Sequence, residues 1–345
     1  MNNLTEFTID DIFGDSLNLK LDEAEIVVEE EEINQTAKLI KVTPQGVKIL
    51  DEELMNKVKK KNLSASMISS FTQCPADWLM DSFILPMLDH EEPIHFIRGH
   101  LFHETMEAFF ALPKEERTPK KLSQTAMQVI KQKYPESLND FDTMQWVKDA
   151  LKGYLDTGFA YKDVDVAMIP KKAGGPPELG VEIFVKGRLG NTKREVVGFV
   201  DRVDRLPDGT LDVVDYKTGK KIHPYNPELP VSDHNSFDYW RQQISYTMLL
   251  EQAGHKVSGA RLEFPIARGV VVVDTFNDKL RREVEKDFER VDASLTKCIE
   301  ENLFPFHGHK FCKWCGMLNP SYPMSRYGKL NVSWEDLNQY VEFLD

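Results

Sequence analysis

Cysteine is scarce in this chain, with four in 345 residues. Disulfide-built secreted domains are short and dense in cysteine, so that class is excluded. Long apolar runs are missing as well. No stretch approaches the 18 or more residues that a bilayer span needs. The opening residues, MNNLTEFTIDD, have no basic region leading into an apolar one, so no secretory signal is read there. A cytoplasmic protein fits these absences. Positive charge is in deficit: 43 Lys and Arg stand against 56 Asp and Glu, a net charge of -13. That excludes a uniformly basic, polyanion-binding coat. What remains is a globular composition, 41% hydrophobic and 29% charged. The length allows one large domain or two small ones.

The negative charge is unevenly placed. Residues 1–33 hold eleven acids and one lysine, so the other 312 residues carry only -3. A local positive groove on that nearly neutral body stays open. Residues 1–60 read as an acidic N-terminal arm or small accessory layer, with the run Glu29–Glu32 and short strands around Pro44–Gly46. The main body spans 61–320, and 321–345 form a tail with a short helix. Ser64 or Ser66 caps the first helix of the body. Further helices are expected near 98–112, 121–134, 142–163, 238–253 and 278–301. Strands are expected at 180–187, 195–204, 211–217, 257–264 and 269–275. The class is α/β or α+β.

The strongest local signal is VVGFVDRVDRLPDGTLDVVDYKTGK, residues 196–220. Two strand-like runs flank a Pro-Asp-Gly turn. A three-residue loop, Pro207 to Gly209, pairs Leu206 with Thr210 and sets Asp201 opposite Asp215. Their Cβ atoms then lie roughly 5 Å apart on one face. A two-residue loop pairs Asp201 with Tyr216 instead and separates the acids, because a one-residue slip changes faces. The first register is favoured. Lys217 shares the face of Asp215. Two close carboxylates repel unless positive charge compensates, and a hard divalent cation such as Mg²⁺ suits oxygen ligands. Such a site hydrolyses a phosphodiester, with Lys217 orienting the nucleophile or steadying negative charge. The alternative is an exposed hairpin with ordinary surface charges.

Two helices add to this. Gly99, His103 and Glu107 recur at four-residue spacing and share a face, which brings His103 into range of a metal. His100 lies off that face, and Glu104 is adjacent to it. On the 238–253 helix Gln242 and Tyr246 are also four apart, beside Arg241. Either helix alone is compatible with ordinary packing.

Taken in order, these pieces resemble the RecB-like branch of the PD-(D/E)xK nuclease superfamily over about residues 63–317. RGHLFHETMEAFF is similar to its G-x-x-x-H-x-x-x-E helix, VGFVDRVDR to its G-x-x-D strand, DVVDYKTGK to its D-x-K strand and RQQISYTMLL to its Q-x-x-x-Y helix. LSASMISSFTQCPADWLM resembles the family's opening. The resemblance implies an α/β, restriction-endonuclease-like core, a mixed central sheet flanked by helices, with helical insertions. It implies Mg²⁺- or Mn²⁺-dependent hydrolysis of DNA. His103, Asp201, Asp215 and the Tyr216 carbonyl are then the expected metal ligands, and Lys217 the catalytic lysine. Gln242 and Tyr246 support the site or contact DNA. Glu107 and Glu182, the latter on the preceding strand in GVEIFVKGRL, are further expected site residues.

Cys312 and Cys315 form Cys-Lys-Trp-Cys. A Cys-x-x-Cys pair marks a metal site or a redox pair. Some RecB-like nucleases pair an early cysteine with a late cluster that binds [4Fe–4S], and Cys74, Cys312 and Cys315 match three of those positions. The fourth position holds Ser321. Cys298 then supplies the fourth ligand to an iron–sulfur or zinc site. Alternatively His307 or His309 does so, or the cysteines are core residues.

The expected partner is DNA, single-stranded or with accessible ends. Basic groups for it are Lys57, Lys59–Lys61, Lys171–Lys172, Lys186, Arg188, Lys193–Arg194, Lys217, Lys220–Lys221 and Arg241, with Tyr239, Trp240 and Tyr246 as stacking rings. The G-x-x-x-x-G-K-[ST] loop is absent, so unwinding needs a helicase or recombination partner. The leading expectation is an exonuclease of recombination, repair or replication. Its rivals are a structure-specific endonuclease of the same fold and an inactive, nuclease-derived binding subunit.

Overall fold

The computed structural model describes residues 38–157, 164–170, 175–222, 237–308, 312–324 and 330–343. The acidic arm of residues 1–33, Lys171–Lys172 and His309 lie outside the described residues. In chain order the chain forms β1 (Ile40–Thr43), β2 (Gly46–Ile49), α1 (Glu52–Lys59), α2 (Ala65–Gln73) and α3 (Pro75–Leu79). Then come α4 (Ile94–Phe110), α5 (Pro119–Lys133), α6 (Phe141–Asp156), β3 (Met168–Pro170) and β4 (Pro177–Leu179). The central sheet uses β5 (Val181–Gly187), β6 (Val196–Arg205), β7 (Leu211–Tyr216), β8 (Val257–Phe264) and β9 (Gly269–Val272), with α7 (Phe237–Gln252) between β7 and β8. The chain ends with α8 (Asp278–Glu301), β10 (Phe304–Pro305), α9 (Cys315–Leu318), α10 (Trp334–Tyr340) and β11 (Val341–Glu342). Packing divides the chain into two compact units, each assembled from separated segments. No helix among the described residues is long and apolar enough to cross a membrane.

The first unit holds residues 92–185 and 198–277. Its sheet is mixed, in the order β5-β6-β7-β8-β9. β6 and β7 are antiparallel, with Arg202 paired to Val214 and Arg205 to Leu211. Leu206 N donates to Thr210 O at 2.8 Å, so the loop between them has three residues. Gly209 takes φ +83°, a left-handed conformation that glycine adopts without a Cβ clash. Continuing this register sets Asp201 opposite Asp215, the first of the two registers that the sequence left open. β7 and β8 are parallel, which requires a crossover, and α7 supplies it. The α/β architecture expected from the sequence is the one observed. α4, α5 and α6 pack Leu101, Phe109, Leu122, Ile130, Leu151 and Tyr154 into one apolar cluster that includes Val214 and Tyr216 of β7. Thr118 caps α5 by accepting from Lys121 N, and Pro119 occupies its first turn, where a missing N–H is harmless.

The second unit holds residues 38–91, 186–197 and 278–343. β1 and β2 form a hairpin, and the short β10 and β11 complete a four-stranded sheet in the order β10-β2-β1-β11. Residues 40–49 thus pair with residues from the end of the chain. Ser64, rather than Ser66, caps α2 by accepting from Met67 N at 3.2 Å. α8 buries Leu280, Val284, Phe288, Val291 and Leu295, spaced by three and four, as an amphipathic helix must.

One side of the central sheet carries a buried ionic network. The Arg202 guanidinium is 1% exposed. It meets Asp204 at 2.8 Å and Glu263 at 3.2 Å, and donates to the hydroxyls of Tyr154 and Tyr216. It also lies 4.0 Å over the Phe110 ring. Arg261 bridges Asp204, Asp212 and Glu263. Removing one partner of such a network leaves the others charged and dry. Arg202→Met should therefore lose about 3–5 kcal/mol of unfolding free energy in urea titrations. A loss under about 1 kcal/mol would show that the network is not holding the sheet.

Candidate active site

Asp201 of β6, Asp215 at the end of β7 and Lys217 just beyond it meet His103 of α4. His103 Nδ1 lies 3.2 Å from Asp201 Oδ2, which also accepts from Tyr216 N at 2.8 Å. Lys217 Nζ is 2.6 Å from Asp215 Oδ2. It also donates to Gln242 Oε1 at 2.9 Å, and Gln242 Nε2 donates to the Tyr246 hydroxyl at 3.0 Å. The ammonium stands 4.9 Å over the Tyr239 ring. Asp215 is 1% exposed, Lys217 15% and His103 34%.

Gly198 explains why two separate motifs belong together. A Cβ there would stand 2.2 Å from the Tyr246 ring. The glycine of G-x-x-D therefore admits the tyrosine of Q-x-x-x-Y, and that tyrosine holds the glutamine that holds Lys217. Tyr246 is 6% exposed and Trp240 3%, so both are packing residues. The expectation that they stack on bases is corrected: α7 is buried nearly all round, and its rings face protein. Only Tyr239 of the three rings lines the cleft. Arg241 is also buried and pairs with Asp238 at 2.6 Å.

The cleft has a volume of about 840 Å³ and exposes His103, Glu107, Glu182 and Asp201, walled by Phe96, Trp146 and Tyr239. Gly99, Arg98, Lys133 and Lys220 also line it. Off the His103 face, His100 approaches Glu92 at 3.5 Å and Glu104 pairs with Lys133 at 3.0 Å.

Charge crowding sets the protonation states. Burial pushes Asp215 up to about 6, and the neighbouring Asp201 charge adds to this against the pull of Lys217. Burial also raises Glu182, with Asp201 and Glu107 reinforcing it, to about 7. Burial disfavours charge on Asp201 as well, but His103 and Lys217 outweigh it and hold that carboxyl below its ordinary value. For His103 and Lys217, burial lowers the pKa, yet the adjacent carboxylates carry both above their ordinary values. Glu182 sits at φ +48°, a left-handed backbone unusual for a side chain of its size. Four acids thus face one lysine and one imidazole. That surplus of negative oxygen with one nitrogen donor is a fitting set for Mg²⁺ or Mn²⁺.

The family model of the PD-(D/E)XK nuclease superfamily matches residues 62–319. This chain belongs to that superfamily. No curated protein matches it. A solved structure described as the crystal structure of SSO0001 is 13% identical, with a TM-score of 0.31, over 79% of this chain and 97% of the other. PD-(D/E)XK proteins are nucleases that use divalent metals, which agrees with the donor set of Asp201, Asp215 and His103.

The cysteines lie in the second unit. Cys74, between α2 and α3, has its Sγ 3.4 Å from that of Cys315, and Cys312 and Cys315 are joined as a disulfide. The three sulfur atoms lie within 4.8 Å of one another. Backbone N–H groups of Asp77 and His307 donate to Cys74 Sγ, and that of Cys315 to Cys312 Sγ. Cys298 does not join them, which corrects its expected place as a fourth ligand. It faces the apolar side of α8, where burial pushes its thiol up to about 11. His307 brings its backbone N–H to Cys74, but among the described residues its ring is not in the group. Two acids unmarked by the sequence pin this loop. Asp77 Oδ1 accepts from Lys313 N and Trp314 N, both at 3.0 Å. Asp81 accepts from Trp314 Nε1 at 2.7 Å and Lys313 Nζ at 2.8 Å.

The crowded carboxylates predict metal-linked stability. Mg²⁺ or Mn²⁺ added to metal-free protein should raise its unfolding free energy, by about 2.7 kcal/mol at 100 times Kd. Asp201→Asn with Asp215→Asn should abolish that gain in thermal melts. An equal gain in the double variant would place the ion elsewhere.

Proposed function

We propose that the chain is a RecB-like PD-(D/E)XK nuclease that hydrolyses DNA phosphodiesters with Mg²⁺ or Mn²⁺, acting as an exonuclease in recombination, repair or replication. One observation carries the reading. The β6–β7 register brings Asp201 and Asp215 together, and His103 and Lys217 converge on them from α4 and the end of β7. The nuclease domain on this reading is residues 61–320, with 1–60 and 321–345 accessory to it. The ordered G-x-x-x-H-x-x-x-E, G-x-x-D, D-x-K and Q-x-x-x-Y pieces support the RecB-like branch.

His103, Asp201, Asp215 and the Tyr216 carbonyl would hold the metal, and its chemistry there would be Lewis-acid stabilisation of phosphoryl charge and a lowered pKa for bound water. Lys217, fixed by Asp215 and Gln242, keeps its proton and presents positive charge to the phosphate oxygens. Glu182 and Glu107 add negative potential at the cleft. Gln242 and Tyr246 position Lys217 and do not touch DNA. The cleft of about 840 Å³, with Phe96, Trp146 and Tyr239 in its walls, is the place for the scissile strand. Cys74, Cys312 and Cys315, once the disulfide is reduced, supply thiolates for an iron–sulfur or zinc site that staples the late loop to α3.

Metal-free protein should cleave end-labelled DNA only when Mg²⁺ or Mn²⁺ is restored. Asp215→Ala and Lys217→Ala should each lower the rate by 10³-fold or more on the order of magnitude of lost charge stabilisation, with the fold retained by circular dichroism. Full activity in either variant would remove the site assignment. Linear DNA cut while circular single strands stay intact supports the exonuclease; cut circles point to an endonuclease. Cys312→Ser should lose bound iron or zinc and melt at lower temperature. Unchanged metal content and melting would make these cysteines core residues.

A further inference from the structure

Beyond the cleft, β5 and β6 carry an aromatic pair that the charge cluster does not use. Side chains alternate along a strand, so residues two apart share a face. Glu182 and Phe184 share one face of β5, where the burial alternates between half-buried and buried. Asp201 and Phe199 share the corresponding face of the neighbouring β6, with Val200 buried between them. The Phe184 and Phe199 rings lie 5.2 Å apart between centroids and are tilted by 52°. Phe199 is 53% exposed. A two-residue step along a strand is about 6.8 Å. The ring pair therefore stands one such step from the Asp201 and Glu182 carboxylates, about the reach of one extended nucleotide.

Phe199, packed against Phe184, leaves about half of its surface in water beside the charged site. An unpaired nucleobase is the partner whose chemistry suits it. Its flat π-face stacks on an aromatic ring, and its own phosphate is the group the acids, metal and lysine receive. A base inside a duplex has both faces covered by neighbours and its edge paired, so it cannot take this position. We infer that Phe199, backed by Phe184, is a stacking platform for the unpaired base one nucleotide from the scissile phosphate, and that it selects single strands over duplex. This rests on the nuclease reading for the direction of the strand, since the phosphate is placed by Asp201.

Two measurements separate the platform from the chemistry. Equilibrium binding of fluorescein-labelled dT20 in Ca²⁺, read by anisotropy, should weaken at least about fivefold in Phe199→Ala. Phe199→Trp should retain affinity, and the weak binding of a blunt 20-base-pair duplex should be unchanged in both variants. The rise in melting temperature that Mn²⁺ gives involves no base, so Phe199→Ala should keep it. If the wild type cleaves no DNA in Mn²⁺ but Phe199→Ala still weakens dT20, the nuclease reading fails and the platform stands. If the wild type cleaves and Phe199→Ala binds dT20 as tightly as the wild type, the platform fails and the nuclease reading stands. An equal loss for dT20 and duplex would also overturn it, because the contact would not be with an unpaired base.

Discussion

The pairing register of β6 and β7 is the constraint on which the rest depends. It is set by three residues, Pro207 to Gly209, and by Leu206 bonding to Thr210. A slip by one residue would turn Asp201 away from Asp215, because side chains change face at every step. The same slip would break the ionic network on the other side of the sheet. Arg202 reaches Tyr216 of β7 and Glu263 of β8 in the observed alignment, whereas Asp204 lies two residues along its own strand. Two sets of charged groups, one facing the cleft and one buried, therefore specify one register. Buried ion pairs add little net stability over apolar packing, but misaligned ones are heavily penalised. Here that penalty acts on the strand pair that must be aligned most accurately.

Tyr216 joins the two sets. Its hydroxyl lies in the Arg202 network and its ring packs with Phe102 and Tyr154. Its backbone N–H goes to Asp201. Its chain neighbours are Asp215 and Lys217. Fixing this one side chain fixes the peptide between the acid and the lysine. The cleft face can then be crowded with like charge, and carry a left-handed Glu182, because the Arg202 network over-determines the strands.

Much of this was legible in the sequence, and the reasons for the remainder are physical. Pro-Asp-Gly and period-two alternation marked the hairpin but left two registers open; the one favoured because it gives Asp201 and Asp215 a common partner is the one observed. The extent of α8 was read as that of a long charged helix, and Gly99, His103 and Glu107 share a face because they are four apart. α7 was read less well. It is buried on nearly every side, polar residues such as Gln243 and Thr247 included, so its sequence marks no outer face, and Trp240 and Tyr246 were taken for stacking rings. Arg202 and Glu263 are 61 residues apart, and nothing local links an arginine in one strand to an acid in another. Asp77 and Asp81 carry no local signal, and only the folded chain sets them against Lys313 and Trp314. Cys298 was expected beside the other cysteines because of its residue type, but its spacing along α8 is that of the buried stripe.

The support of Lys217 shows how separate motifs become one device. Gly198 contributes only absence, a space that the Tyr246 ring fills. Tyr246 accepts from Gln242, and Gln242 accepts from Lys217. The ammonium has Asp215 on one side, an amide oxygen on another and the Tyr239 ring beneath it. A buried lysine left alone would shed its proton. This one has its charge stabilised by each neighbour, and burial alone is outweighed. A positive charge that cannot leave, beside acids that repel one another, is a poor arrangement for stability. It is a good one for receiving a divalent ion and a phosphate together, since those two bring the missing charges of both signs.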